Sequence, residues 1–286
     1  MDSAQLIMNG LALGALYACL AVGFSLVWGV LNVINMVHGS FIVLGGYLAY
    51  FMWSYFGVYP LAALPLVGIV MFVFGYVLQY TLTNKVIHAP VLTTLTLTFG
   101  LDMILYNLMT VYFSATPRRI RLDLGSFEVF GTFMPADRLL GMLLALTLTG
   151  MLYYVMRSSK IGRAIVAVRM DRVAAQLMGI RVNNIYAITF GIGAMMAGLA
   201  GVILVIVFPT TTSVAGAYLG KAFVVCVVGG LGSVPGALIG GLVLGVVESF
   251  AAHYFGPQNA PIVGFILLLF LLLVKPTGLV GIKGYE

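Results

Sequence analysis

Nine apolar runs divide the chain, at residues 6–30, 41–56, 61–82, 91–113, 139–156, 185–207, 218–228, 235–252 and 261–274. A helix rises about 1.5 Å per residue, so roughly 20 such residues cross a hydrocarbon core of about 30 Å. The runs are continuous rather than alternating, which argues against a β-barrel. They leave the chain 62% apolar and only 8% charged, where a soluble domain is about 45–50% apolar and about 25% charged. A chain so poor in charge cannot cover a surface facing water. That excludes a soluble globular enzyme, and composition equally excludes a disordered or fibrous chain. The expected fold is all-α: a polytopic transmembrane helical bundle, one domain over residues 1–286, with about 8–9 membrane passes.

The seventh run is too short to span alone. It leads into GGLGSVPG at 229–236, where a regular helix breaks. Gly232, Gly236 and Gly240 recur every four residues, and Gly241 and Gly245 add a second pair. Two readings stay open for this stretch. Small residues let helices pack at close range. A break also frees backbone groups, which in a membrane must be buried in protein or face a water-filled cavity, so Gly229, Gly230, Gly232 and Gly236 are candidates for the lining of a path.

Charge sets the expected orientation. Between the fifth and sixth runs, residues 157–184 carry Arg157, Lys160, Arg163, Arg169, Arg172 and Arg181 against Asp171 alone, nearly all of the net charge of +6. Basic residues in short loops stay on the cytoplasmic side, so this loop is predicted inside. Alternation then puts Lys85 and His88 inside. The tail with Lys275 and Lys283 is inside too, provided the broken segment and the next run count as separate passes. The N-terminus, with Asp2, falls outside. The first apolar run lacks a basic flank and a cleavage site, so it is read as a retained helix and not a signal. The loop at 114–137 is predicted external. Arg118, Arg119 and Arg121 balance Asp123, Glu128 and Asp137, and the alternation at 119–130 suits a short hairpin. It is either a solvated connector or a docking surface.

Within the cationic loop, residues 161–178 have the composition of one helix lying along the membrane surface, with Gly179 placed to stop it. Such a helix either rests on anionic lipid or docks into a cytoplasmic protein. Asn32, Asn35 and His38 interrupt the apolar sequence after the first run and suggest a kinked, hydrogen-bonded turn near the cytoplasmic end of a path. Asp102, Asn107, Lys221, Glu248 and His253 are the other polar groups in or near apolar runs. Ionisable groups there face the bundle interior or water. Asp102 can pair with Lys221 or meet an amine of a substrate, whereas Glu248 and His253 suit a helix end at the interface. Cys19 and Cys226 read as buried thiols. No spacing supports a metal site. The stretch 216–222 (GAYLGKA) lacks the length and the Ser or Thr of a phosphate-binding loop, so ATP hydrolysis is not expected of this chain.

Three stretches carry a resemblance. Residues 159–182 (SKIGRAIVAVRMDRVAAQLMGIRV) resemble, nearly end to end, the coupling loop of the branched-chain amino acid class of ABC transporter permeases. Residues 9–39, with NGLALGALYACLAVGFSLVWG and INMVHG, are similar to that family's opening signature, and 220–248 to its second. The likeness is strongest to the shorter, H-type subunit. It implies one half of a transmembrane permease dimer, paired with a related M-type chain or an identical copy. Two cytoplasmic ATPases, holding ATP and magnesium, would drive it, and a periplasmic binding protein would deliver substrate. The chain itself would need no cofactor. It would be a multi-pass protein of the bacterial inner membrane, N-terminus periplasmic and C-terminus cytoplasmic.

The resemblance gives the loop a role in coupling to the ATPases, with Gly162, Arg163, Arg169, Asp171, Arg172, Ala174, Ala175, Gly179 and Ile180 as candidate residues. Val173 departs from the pattern, since many relatives carry glutamate there. Asp102 departs too, where a small residue is expected. The expected path residues are Asn32, Asn35, His38, Asp102 and Lys221 with the glycines of the break. The expected function is ATP-driven import of branched-chain or other apolar amino acids. The alternatives are a permease for short amides or urea, and a proton-coupled carrier using Asp102 and Glu248.

Overall fold

The structure is a computed structural model that describes residues 3–87, 89–122, 125–129 and 132–280. Asp2, His88, Asp123 and Lys283, whose sides were predicted above, lie outside the described residues. Each apolar run forms one helix. In chain order these are α1 (Ser3–Leu31), α2 (His38–Phe56), α3 (Pro60–Thr81), α4 (Val91–Phe113) and α5 (Ala136–Ser158). Two short helices follow, α6 (Lys160–Met170) and α7 (Arg172–Leu177), and then α8 (Val182–Val207), α9 (Ala215–Gly229), α10 (Val234–Phe255) and α11 (Ala260–Val274). Among the described residues, seven helices are long and apolar enough to cross a membrane, α9 being counted with the 3₁₀ turn before it. The 19 residues of α2 and the 15 of α11 complete the nine.

α1 and α8 form the centre. They are apolar on every side and buried almost throughout, as expected of helices enclosed by other helices. α2 and α3 pack on α8, and α10 packs on α1. α3, α4, α5 and α11 keep broad apolar faces exposed, among them Ile69, Ile104, Tyr154 and Leu273.

Glycines set the close contacts. A β-carbon on Gly14 would run into the backbone of Leu242, and one on Gly241 into the backbone of Ala18, so α1 and α10 touch backbone to backbone. Gly45 of α2 meets Gly198 of α8 in the same way.

The two ends of the bundle can be told apart by contact. α6 and α7 lie at one end. At that end Arg169 meets Gly232, Gly29 of α1 meets Gly232, and the tail after α11 reaches the C-terminus of α9. Asn84 donates to the Asn183 carbonyl there too, at 3.2 Å. At the opposite end, Gln5 donates to the Phe133 carbonyl. A two-stranded antiparallel hairpin, β1 (Ser126–Val129) and β2 (Thr132–Pro135), stands there. The sequence placed the alternation at 119–130. Instead Arg118 pairs with Thr210, and the Ile120 amide donates to the Val205 carbonyl, so the first part of that stretch is tied to the end of α8. The Arg119–Asp137 ion pair, at 3.2 Å, holds the loop to the start of α5.

Neither α2 nor α9 starts at a bundle end. The Nε2 of His38 donates to the Leu20 carbonyl at 2.8 Å. Leu20 lies near the middle of α1, eleven residues before its end, which is about 16 Å at 1.5 Å per residue. The non-helical stretch 32–37 therefore climbs back from the end of α1 to mid-depth. Ala215, the first residue of α9, packs against Gly39, so α9 also begins inside. The seven residues between α8 and α9 cover the depth that so short a helix does not.

Candidate functional site

The cationic loop is not the single helix expected over 161–178. It is two helices, α6 and α7, because Asp171 leaves helical geometry with φ −154° and ψ 113°. Its Oδ1 then accepts from the amides of Val173 at 2.8 Å and Ala174 at 3.0 Å, an N-cap that starts α7 afresh. Ser159 caps α6 likewise, its Oγ accepting from the Gly162 amide at 2.8 Å. Gly179, with φ +83°, ends α7. The Gly179 amide donates to Gln176 and the Ile180 amide to Ala175, the paired bonds of a left-handed glycine stop.

The two-helix unit has an inner and an outer face. Gly162, Ile165, Val168 and Ala175 are buried on the inner face. Gly162 rests against Met156 of α5 with no room for a side chain. Gly162 and Ala175, both among the candidate coupling residues, thus seat the unit on the bundle and present no surface of their own. Arg169 is also turned inward: its Nη1 donates to the Gly232 carbonyl at 2.6 Å. Arg163, Asp171, Arg172, Ala174 and Gly179 are exposed, and Ile180 is half-buried. Apolar residues of the same unit are exposed as well. Leu177 is 84% exposed and Met178 83%, and Met170 and Val173 are exposed with them. The signal for this was available in Asp171: a helix restart rotates all that follows.

The backbone of the Gly-rich break is tied down by neighbouring protein. Gly229 and Gly236 face each other across the α9–α10 turn without space for a β-carbon. Gly230 and Gly232 take φ +109° and +77°. The carbonyls that the break frees find donors: Val228 accepts from the Leu279 amide at 2.9 Å, Gly229 from the Val280 amide at 3.1 Å, and Gly232 from Arg169. Ser233 caps α10 through the Gly236 amide. Close packing is therefore what these glycines do, and Gly229 and Gly236 turn no face toward a lumen.

The membrane-depth polar groups pair differently from the expectation. Lys221 meets both oxygens of Glu248 at 2.6 Å, and the Tyr17 hydroxyl donates to Glu248 at 2.7 Å. Lys221 also sits over the Tyr17 ring, 4.6 Å from its centroid. Glu248 is 5% exposed, so it is a buried partner and not an interfacial group. Asp102 instead accepts from the Ser40 hydroxyl at 2.5 Å, while His253 stays near the end of α10.

Asn32, Asn35 and His38 are spread out by the climbing stretch. Asn32 is exposed at the end of α1 with φ +53°. Asn35 and His38 are buried, and the side-chain amide of Asn35 and the Nδ1 of His38 have no partner among the described residues. The turn is hydrogen-bonded through its backbone and through His38 Nε2, but not through Asn35. Ser40, Asp102 and the start of α9 cluster around the mid-depth start of α2. Among the described residues no group of three or more His, Cys, Asp or Glu side chains is placed to hold a metal ion.

Comparison with known proteins fits this architecture. Residues 6–274 match the family profile described as branched-chain amino acid transport system, permease component. The chain belongs to that permease family. Its relatives include the high-affinity branched-chain amino acid transport system permease protein BraD of Pseudomonas aeruginosa, 33% identical, covering 97% of this chain and 95% of the relative. The corresponding LivH protein of Escherichia coli is 31% identical over 97% of this chain and 95% of its own length. The LivM permease protein of Escherichia coli is 24% identical over 92% of this chain and 67% of its own length. The three stretches of resemblance all fall within the matched residues. Membership makes the chain a multi-pass membrane transport subunit of the permease kind.

Proposed function

We propose that the chain is the H-type permease subunit of an ATP-driven importer for branched-chain amino acids, working as one unit over its whole length. It pairs with a related M-type chain, two cytoplasmic ATPases that hold ATP and magnesium, and a periplasmic binding protein. The cationic end of the bundle is then cytoplasmic, which puts the C-terminus inside and the N-terminus in the periplasm of the inner membrane. The observation that carries this reading is the outer face of α7. Val173, Leu177 and Met178 stand clear of the bundle on a helix capped at both ends and on its last cap residue, flanked in the chain by the exposed Asp171, Arg172 and Arg181. Exposed apolar side chains in a charged rim form the core-and-rim pattern of a protein interface.

The path is read as running past the mid-depth starts of α2 and α9, with Asp102 and Ser40 at its wall. Substrate selection belongs mainly to the binding protein. The test is co-purification with the ATPases and leucine uptake in vesicles. Changing Leu177 and Met178 together to serine should leave the subunit in the membrane and abolish ATPase recovery. Wild-type uptake should require ATP and survive an uncoupler. Full recovery of the ATPases by the double variant would sink the docking assignment, and uptake that collapses with the proton gradient would favour a proton-coupled carrier.

A further inference from the structure

We infer that Arg169 is a positioning residue that links the coupling unit to the α9–α10 break, so that movement of α7 is delivered to those two helices. The inference rests on the docking of an ATPase at α7. Arg169 lies near the end of α6 and points away from the outer face. Its Nη1 donates to the Gly232 carbonyl at 2.6 Å, and a β-carbon built on Gly232 would come within 2.9 Å of its Nη2. The guanidinium therefore rests close against Gly232, where a side chain would crowd it and where the backbone takes a left-handed conformation that glycine adopts without strain.

Three features make the contact suited to transmitting motion. First, Gly230 and Gly232 interrupt the helical ladder, so the position of the break depends on donors from outside it. Arg169 is one; the Leu279 and Val280 amides and the Ser25 hydroxyl are others among the described residues. Second, the break is held on one side by Gly29 of α1 but opens on another into a cavity of about 710 Å³. Arg169, Gly232, Pro235, Leu272 and Val280 are among its walls. The break has room to shift there. Third, α9 and α10 are tied again further along by the Lys221–Glu248 pair, so displacement at the break moves the two helices together. A hydrogen bond to a charged donor is stronger than a neutral one, and the planar fork of arginine holds its direction better than the point charge of lysine.

A merely structural arginine would lower ATP hydrolysis and transport in proportion. A transmitting one separates them. The experiment uses the complete transporter in proteoliposomes, with the ATPases and binding protein, and reads ATP hydrolysed per leucine moved. Arg169→Gln should retain the ATPases and their hydrolysis while leucine transport falls about tenfold, the equivalent of one charge-assisted hydrogen bond lost at the moving contact. Arg169→Lys should recover part of the coupling, and Gly232→Ala, which displaces the guanidinium, should resemble Arg169→Gln. An unchanged ratio of ATP to leucine in these variants overturns the inference. If Arg169→Gln does not accumulate, the ratio in Arg169→Lys decides in the same way. Failure of the wild-type chain to retain ATPases would instead overturn the docking reading on which the inference stands.

Discussion

Glu248 is the residue whose environment is most demanding. It is buried at membrane depth against one cation and one hydroxyl, and that satisfies it only while both remain. Removing one member of such a pair strands the other charge, which costs about 3–5 kcal/mol, whereas replacing both with apolar groups of similar size is often neutral. Glu248→Leu should therefore lower the melting temperature in detergent sharply, and Lys221→Met with Glu248→Leu should restore most of it. A double variant as unstable as the single one would show that the pair is not the source of the effect. Asp102 is a different case. It is only half-buried, and its side-chain partner among the described residues is Ser40. Asp102→Asn keeps the shape and can still accept from Ser40, so stability should hold. Leucine transport in vesicles should fall several-fold if the carboxylate faces the path, and wild-type kinetics would return it to a packing role. That Asp102 and Lys221 would be kept from lipid was legible in the sequence, since exposed charges are costly there, whereas Glu248 was expected at a helix end at the interface. Their partners were not: residues 17, 221 and 248 meet only through the packing of three helices.

At the scale of elements, each apolar run became a helix because a chain in lipid must satisfy its backbone locally. That demand acts within a run, so the run alone announces it. The same logic made the GGLGSVPG break legible, and its glycines do pack closely. What satisfies its carbonyls was not legible, because the donors come from distant parts of the chain: Arg169, Ser25 of α1 and residues 279 and 280. The restart at Asp171 lay within reach, since aspartate is a strong N-cap, but the continuous apolar spacing around it suggested one helix. The α1–α10 contact offers a direct check. A β-carbon on Gly245 would overlap the backbone of Gly14, and backbone cannot yield as a side chain can. Gly245→Val should cost about 1–3 kcal/mol or more through overpacking, seen as loss of the monodisperse peak in size-exclusion chromatography. Gly150→Val, where nothing lies within contact of the added carbon, should elute like the wild type.

For the whole molecule, the decisive property is which end faces the cytosol. The contacts establish relative placement: α6, α7, the end of α1 and the C-terminal stretch share one end, and the hairpin and the start of α1 share the other. The absolute sense comes from the positive charge of the loop at 157–184. The chain's own thiols make that sense easy to test, because Cys19 and Cys226 are both fully buried and should stay silent to a polar reagent. A cysteine at Gln176, exposed on α7, and one at Phe127, exposed on the hairpin, report the two ends. In intact cells with a permeable outer membrane, an impermeant maleimide should label Phe127→Cys and leave Gln176→Cys unreacted until the inner membrane is broken. The reverse pattern would place the coupling unit outside, away from any ATP, and the proposed importer would have no motor at its lever. Equal labelling of both before lysis would show a mixed orientation. A subunit with nearly all of its net charge in one loop should not insert that way, because each inverted copy would carry that loop across the membrane.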